Sequence, residues 1–420
     1  MFAFTAIDND LLRPTAGRDP LGVQAIWQHR ARDLVPHLTA STGRHEGFFL
    51  LLTALAWWPK FAADQRFPEG KLIDYFMLVE QAVARACHAA QAEWPLPGTR
   101  SLNSNTSKGV YIGMARGDYL LDAQASNGVW GLYRRPAINA GLIDENNRIV
   151  ELGSYTAEDI RTSSSVMQRL LGKVAAVMKS GGDAAATLAQ INCPFVSDLT
   201  RVIKHDSDGA HNELLKQVLQ KRLLKPDTPV LTHKLVKLMR EFAGARSLDP
   251  EDFINVAISE IGAEEPALQH AMDCERYLAV IEGVFDHLCA TPQASLRKVA
   301  SDLDKIQPMA RLQKAQKKFR SSGSYGSDLA LERHTSLAKL DLVDTPSLLA
   351  GLIDHHQAVS KGRGVDAWVS LLNGKLDFRR RADPPSPETL EPSKAWRNSY
   401  YLWALQGLVN GLYPVRTAKA

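Results

Sequence analysis

Two points in this chain carry the residue types that metal-assisted hydrolysis needs. Asp354-His355-His356 sets a carboxylate beside two imidazoles, and His205-Asp206 offers a second pair with Asp208 and His211 close behind. Imidazole and carboxylate together hold divalent metals that activate water. The two pairs lie far apart in sequence, so only the fold could join them. Ile353 and Val359 place the triplet on an amphipathic helix, where hydrogen bonding is its expected use. Asp206 and Asp208 equally suit the cap of a helix beginning near His211. Neither a phosphate-cradling glycine loop, nor G-x-S-x-G, nor H-E-x-x-H, nor a dinucleotide glycine fingerprint occurs. No cofactor is expected.

Contact with nucleic acid is the second chemistry to weigh. The stretch Gln124 to Arg135 reads as a helix with Asn127 at its polar start and Arg134 and Arg135 towards its end. Gly141-Leu-Ile-Asp closes that helix, Glu145-Asn-Asn makes a turn, and Arg148-Ile-Val-Glu-Leu is the expected return strand. A helix followed by a two-stranded wing is the plan of a winged-helix module. Asn127 would then face base edges, while Arg134, Arg135 and Arg148 would meet phosphates. Pro136 speaks against it, because proline is expected to break the helix it interrupts.

Charge elsewhere is uneven. Lys216, Lys221, Arg222, Lys225, Lys234, Lys237 and Arg240 stand against a single acid, Asp227, and Lys305 to Arg320 is basic throughout. Leu248 to Asp286 between them is acidic. Basic runs are usually solvated helix faces, and here the blocks could also pair with the acidic stretch inside the fold.

The elements that must position these residues are mostly helices. Apolar residues repeat at three-four spacing through Val23–Trp27, Phe48–Leu55 and Leu72–Cys87, which reads as three packed helices. Tyr111 to Gly141 continues helical patterning. Asn373-Gly374 marks a short hairpin, and Tyr401, Leu405, Leu408 and Leu412 stripe a closing helix. The fold class expected is mainly α: a multi-domain helical protein with a winged-helix-like module and few short β-hairpins. Breakers suggest an N-terminal helical domain over 1–98, the winged-helix-like module over 99–180, a helical middle over 181–320 and a C-terminal helical domain over 328–420. The 420 residues are 45% hydrophobic and 23% charged with a formal charge of +4, so neither chain-wide disorder nor global basicity is present. Cys87, Cys193, Cys274 and Cys289 have no C-x-x-C spacing, which fits buried thiols in a reducing, cytoplasmic setting. The apolar run Phe48–Trp58 is too short for a membrane span, and no membrane partner is expected.

Three resemblances follow from these residues. Asp354-His355-His356 resembles the name-giving triplet of the DHH phosphoesterases, whose further ligands sit on parallel strands absent from a helical chain. His205-Asp206 is similar to the pair in HD phosphohydrolases. Arg18-Asp-Pro-Leu-Gly with Trp27, Leu34-Val-Pro-His-Leu-Thr and Arg44, together with His355-His-Gln-Ala-Val, Lys361-Gly-Arg-Gly, Trp368 and the aromatic end from Trp396, resembles a group of bacterial proteins from mobile-element and anti-phage defence neighbourhoods. That last resemblance implies a helper or sensor of a multi-protein system and supplies no catalytic residues. The leading expectation is therefore a non-catalytic helical subunit contacting double-stranded DNA or partner proteins encoded nearby. A metal-dependent phosphoesterase or nuclease, using His205, Asp206, His355 and His356, is the alternative, and a purely structural scaffold is the third reading.

Overall fold

The computed structural model describes residues 19–91, 96–99, 102, 109–150, 157–162, 165–181, 185–189, 194–204, 210–224, 230–242, 249–262, 265–291, 294–306, 309–322, 325–373, 375–378, 386 and 390–413. Among them helices dominate and the sheets are two antiparallel strand pairs, so the protein is mainly α. The chain divides into two compact units, Met1–Leu34 with Leu248–Tyr400, and Val35–Ser247 with Tyr401–Ala420. This differs from the four successive blocks that the breakers suggest. Proline and glycine clusters mark where helices end, and they say nothing about which helices share a core.

In chain order the elements begin with α1 (Gln24–Leu34), α2 (His45–Gln65), α3 (Leu72–Ala89) and β1 (Val110–Ile112). Next come α4 (Gln124–Asn127), α5 (Val129–Asn139), α6 (Ala157–Thr162), α7 (Ser165–Lys179) and β2 (Ala186–Ala189). Then follow α8 (Pro194–Lys204), α9 (Ala210–Leu219), a π-helical turn (Gln220–Leu224) and α10 (Val230–Phe242). The remainder is α11 (Pro250–Ile261), α12 (Pro266–Ala290), α13 (Leu296–Asp304), α14 (Met309–Arg320), α15 (Asp328–Ala338) and α16 (Thr345–Gly362). The strands β3 (Val369–Leu372) and β4 (Lys375–Phe378) precede α17 (Leu402–Leu412).

The unit containing the C-terminal half is organised around α12, whose apolar residues from Leu268 to Leu288 are buried. Helices α1, α13, α14 and α16 pack on it, so the first of the three helices expected to form one N-terminal bundle lies here, against α12 and α15. Sequence chemistry sets several helix starts. Asp249 accepts the Glu251 and Asp252 amides at 2.9 and 3.2 Å with Pro250 in the first turn, and Asp344 accepts the Ser347 amide at 2.8 Å. The hairpin expected at Asn373-Gly374 forms: Leu372 pairs with Lys375 and Val369 with Phe378, and Asn373 takes a φ of +52°.

In the other unit α2 is apolar on every side, and all residues from His45 to Trp58 are buried. Pro59 lies inside this helix and cannot donate to the preceding turn. One residue from the gap so created, the Ala56 carbonyl accepts from Arg161 of α6 at 2.9 Å. The helical pattern expected from Tyr111 onward does not begin there. Val110-Tyr-Ile is β-branched and aromatic, and it pairs antiparallel with Ala186–Ala189. Helix α17 closes on α2 through two glycines one turn apart. A β-carbon on Gly407 would stand 2.3 Å from the Gly43 carbonyl oxygen, and one on Gly411 would stand 2.4 Å from His45 Nδ1.

A row of polar side chains on α3 holds the β1–α5 segment down. Glu80 is fully buried; it accepts the Val129 amide at the start of α5 at 2.5 Å and the Gln124 side-chain amide at 2.8 Å. Gln81 exchanges two hydrogen bonds with the Gly113 backbone, and Arg85 donates to the Tyr111 carbonyl at 2.9 Å while stacking on the Tyr111 ring. Burial pushes the Glu80 carboxyl up to about 7 from the usual 4.5, against the two hydrogen bonds that favour its charged form. Between these values the folded chain holds a proton that the unfolded chain has released, so stability falls as pH rises through that window. Glu80→Gln is expected to flatten this dependence between pH 4.5 and 7, and thermal melts across the range check it.

Candidate nucleic-acid interface and the buried histidine pair

The helix and loop expected to touch DNA are present in altered form. Pro136 does not end α5, which runs on to Asn139 with the proline ring buried. The helix tolerates it because the packing of Val129, Trp130, Tyr133 and Ala137 on the core outweighs one missing hydrogen bond. Gly141 then turns the chain with a φ of +67°, and a single bridge between Ile143 and Ile149 closes a tight loop. Within it the Asn147 amide donates to the Asp144 carbonyl at 3.0 Å, and the Arg148 amide donates to the Asp144 side chain at 2.8 Å. The expected return strand continues into 151–156, outside the described residues. What is described is thus a helix and a closed loop, not a winged-helix module.

Two of the four expected contact residues are occupied within that loop. Arg134 donates to the Asn147 side chain and, at 3.1 Å, to the Glu145 carbonyl. Arg135 forms an ion pair with Glu145 at 2.9 Å. Both fasten the loop to α5. Asn127 is exposed at the end of the four-residue α4. It does not open a long recognition helix, because the chain breaks at Gly128 before α5 begins. Arg148 remains exposed, with no acidic partner among the described residues.

A cation that the sequence did not single out joins it. A β-carbon built on Gly141 would lie 3.4 Å from Nη1 of Arg222, so the Arg222 guanidinium stands against the base of the loop. Arg222 belongs to the π-helical turn into which α9 runs directly, and α10 packs on that turn. The fold therefore sets Arg222 beside the loop that presents Arg148, while Lys216 lies on α9, Lys221 on the same turn and Lys237 on α10. None of Lys216, Lys221, Arg222 and Lys237 has an ion pair among the described residues, and Lys221 and Lys237 are exposed. Arg240 lies over the Tyr413 ring at 4.1 Å. The π-helical widening was not readable from sequence, although the basic block itself was.

The second basic block has a different fate. Lys305 pairs with Asp302 at 3.2 Å, Arg311 pairs with Glu391, and Lys318 reaches Asp273 of the acidic stretch at 3.6 Å. Arg320 donates to the Ala338 carbonyl at 2.7 Å. Internal pairing thus absorbs most of this block.

The histidine pair is buried in the α12-centred unit. His355 Nε2 lies 2.8 Å from the Leu21 carbonyl and its Nδ1 lies 2.8 Å from Ser336 Oγ. His356 Nδ1 lies 2.9 Å from the Pro20 carbonyl, and its Nε2 accepts the Trp368 amide at 2.7 Å. His356 is neutral in this arrangement, donating to the Pro20 carbonyl and accepting the Trp368 amide, while His355 donates to the Leu21 carbonyl and shares a hydrogen bond with the Ser336 hydroxyl. Burial lowers both their pKa values. No ring lone pair is left for a metal, and among the described residues no group of three or more His, Cys, Asp or Glu has a metal-binding arrangement. His205 and Asp206 lie outside the described residues. Asp19 completes the assembly: its side chain accepts the Gln24 amide at 3.2 Å as the expected cap of α1, and it pairs with Arg363 at 2.9 Å. Asp19–Leu21 and His355–Arg363, parts of the two stretches behind the defence-protein resemblance, are therefore held together as one structural clasp.

Comparison with family models, curated proteins and solved structures finds no match to this chain.

Proposed function

We propose that this chain is a non-catalytic helical subunit that contacts double-stranded DNA through the cationic face built from α9, the π-helical turn, α10 and the Arg148 loop. The observation that carries the reading is the placement of Arg222 against Gly141. It brings one residue of the basic block against the loop, and Arg148, Lys216, Lys221, Arg222 and Lys237 lack acidic partners among the described residues. Such a face suits phosphate contact better than base reading. Asn127 sits on a single short turn, and Arg134 is held by the loop, so no side-chain array is prepared to enter a groove. The resemblance to defence-neighbourhood proteins supports reading this contact as part of a multi-protein bacterial defence or mobile-element assembly, whose other subunits would be encoded nearby.

Lys221→Glu combined with Arg222→Glu is expected to weaken binding to a labelled duplex at least tenfold. The same reversal at Lys314 and Lys317, exposed on the other basic block, is expected to change it less than twofold. Fluorescence anisotropy at low salt measures both. Equal losses from the two pairs would mean that net charge alone governs binding, and the assigned face would be abandoned.

A further inference from the structure

Helices α2 and α7 leave a cleft of about 430 Å³ between them, a size suited to a small ligand. Its floor is apolar: Trp57 and Phe61 from α2 and Leu171 from α7 line it, and all three are buried. The Phe61 ring is fixed by Tyr75 at 4.9 Å and Phe67 at 5.7 Å between centroids, so this wall is set before anything enters. Two opposite charges, Lys60 and Asp64, also line the cleft one turn apart on α2. They are spaced to pair with each other, yet among the described residues neither has an ion pair or hydrogen bond. Opposite α2, Gly172 keeps the cleft open, since a β-carbon there would meet nothing within 4 Å.

We infer that this cleft binds a small aromatic amino acid as its zwitterion. The planar ring would lie on the Trp57–Phe61–Leu171 floor, where burial of apolar area supplies the attraction. Its carboxylate would meet the Lys60 ammonium and its ammonium the Asp64 carboxylate, so each unpaired charge finds a partner of opposite sign. This site is independent of the cationic face, and its failure would leave the DNA reading untouched.

Titration of the full-length protein with L-phenylalanine, followed by calorimetry, tests it. Saturable binding is expected, with 3-phenylpropionate, which lacks the ammonium group, at least fivefold weaker. Gly172→Leu fills the cleft at an exposed helical position and is expected to abolish binding while leaving the circular dichroism spectrum intact and the melting temperature no lower. Lys60→Gln is expected to weaken binding without moving the melting temperature. Absence of saturation up to ligand concentrations of about 10 mM, roughly where affinity is worth under 3 kcal/mol, would overturn the site. So would binding that Gly172→Leu leaves unchanged, and equal affinity for 3-phenylpropionate would overturn the zwitterion assignment.

Discussion

His356→Ala is expected to destabilise the α12-centred unit by about 3–5 kcal/mol, the sum of a buried cavity and unmade hydrogen bonds. The imidazole accepts the Trp368 amide and donates to the Pro20 carbonyl, and its ring packs 4.8 Å from the Phe285 centroid. Alanine fills little of that space and leaves one donor and one acceptor buried and unpaired. Urea unfolding followed by tryptophan fluorescence measures the effect. A chelator added to the wild-type protein is expected to leave the unfolding midpoint unchanged. If His356 held a metal, chelation would instead reproduce much of the variant's loss. Protonation acts on the same contacts. The folded-state pKa of His356 is lowered by burial, so its contribution is present above the unfolded value of 6.5 and is lost as pH falls through the lower folded value.

Gly407→Ala is expected to destabilise the other unit by about 2–3 kcal/mol, the range for overpacking a tight contact. In an exposed helix the same change would stabilise by up to about 1 kcal/mol, because alanine is the better helix former. The sign therefore reports the contact. At Gly407 the obstacle is the Gly43 carbonyl, a backbone group 2.3 Å from the new carbon, and relief requires moving α17 away from the start of α2. Gly172→Ala on α7 is the matched control. Its new carbon would meet nothing within 4 Å, so a small gain in stability is expected there. Melting temperatures of the two variants moving in opposite directions would support the close approach of α17 to α2; a gain in both would contradict it.

Local chemistry was legible in the sequence wherever a few neighbouring residues decide the outcome. The unbroken apolar run of α2, the Asn373-Gly374 hairpin and the helical setting of His355 and His356 all follow from spacing and side-chain type. Contacts between distant segments were not legible. Nothing near Trp27 says that α1 packs on α12 and α15, and nothing near Val110 says that it pairs with Ala189. The arginines show the same limit within the candidate interface. Arg134 and Arg135 have the spacing of phosphate ligands, but Glu145 and Asn147 reach them only because the loop folds back onto α5. Arg222 gained its place from a π-helical turn, a backbone irregularity with no sequence signature as plain as a proline or a glycine cap.

The dependence of duplex affinity on salt tests the cationic face most directly. Each phosphate contact releases counterions, so log affinity should fall linearly with log salt by close to one unit per contact. With Arg222 against the Arg148 loop and Lys216, Lys221 and Lys237 on the elements that adjoin it, a slope of about −3 to −5 is expected. It should shrink by about two when Lys221 and Arg222 are reversed together, with little difference between unrelated duplex sequences. No binding at low salt, or a slope that the double reversal leaves unchanged, would contradict the assignment of this face to DNA.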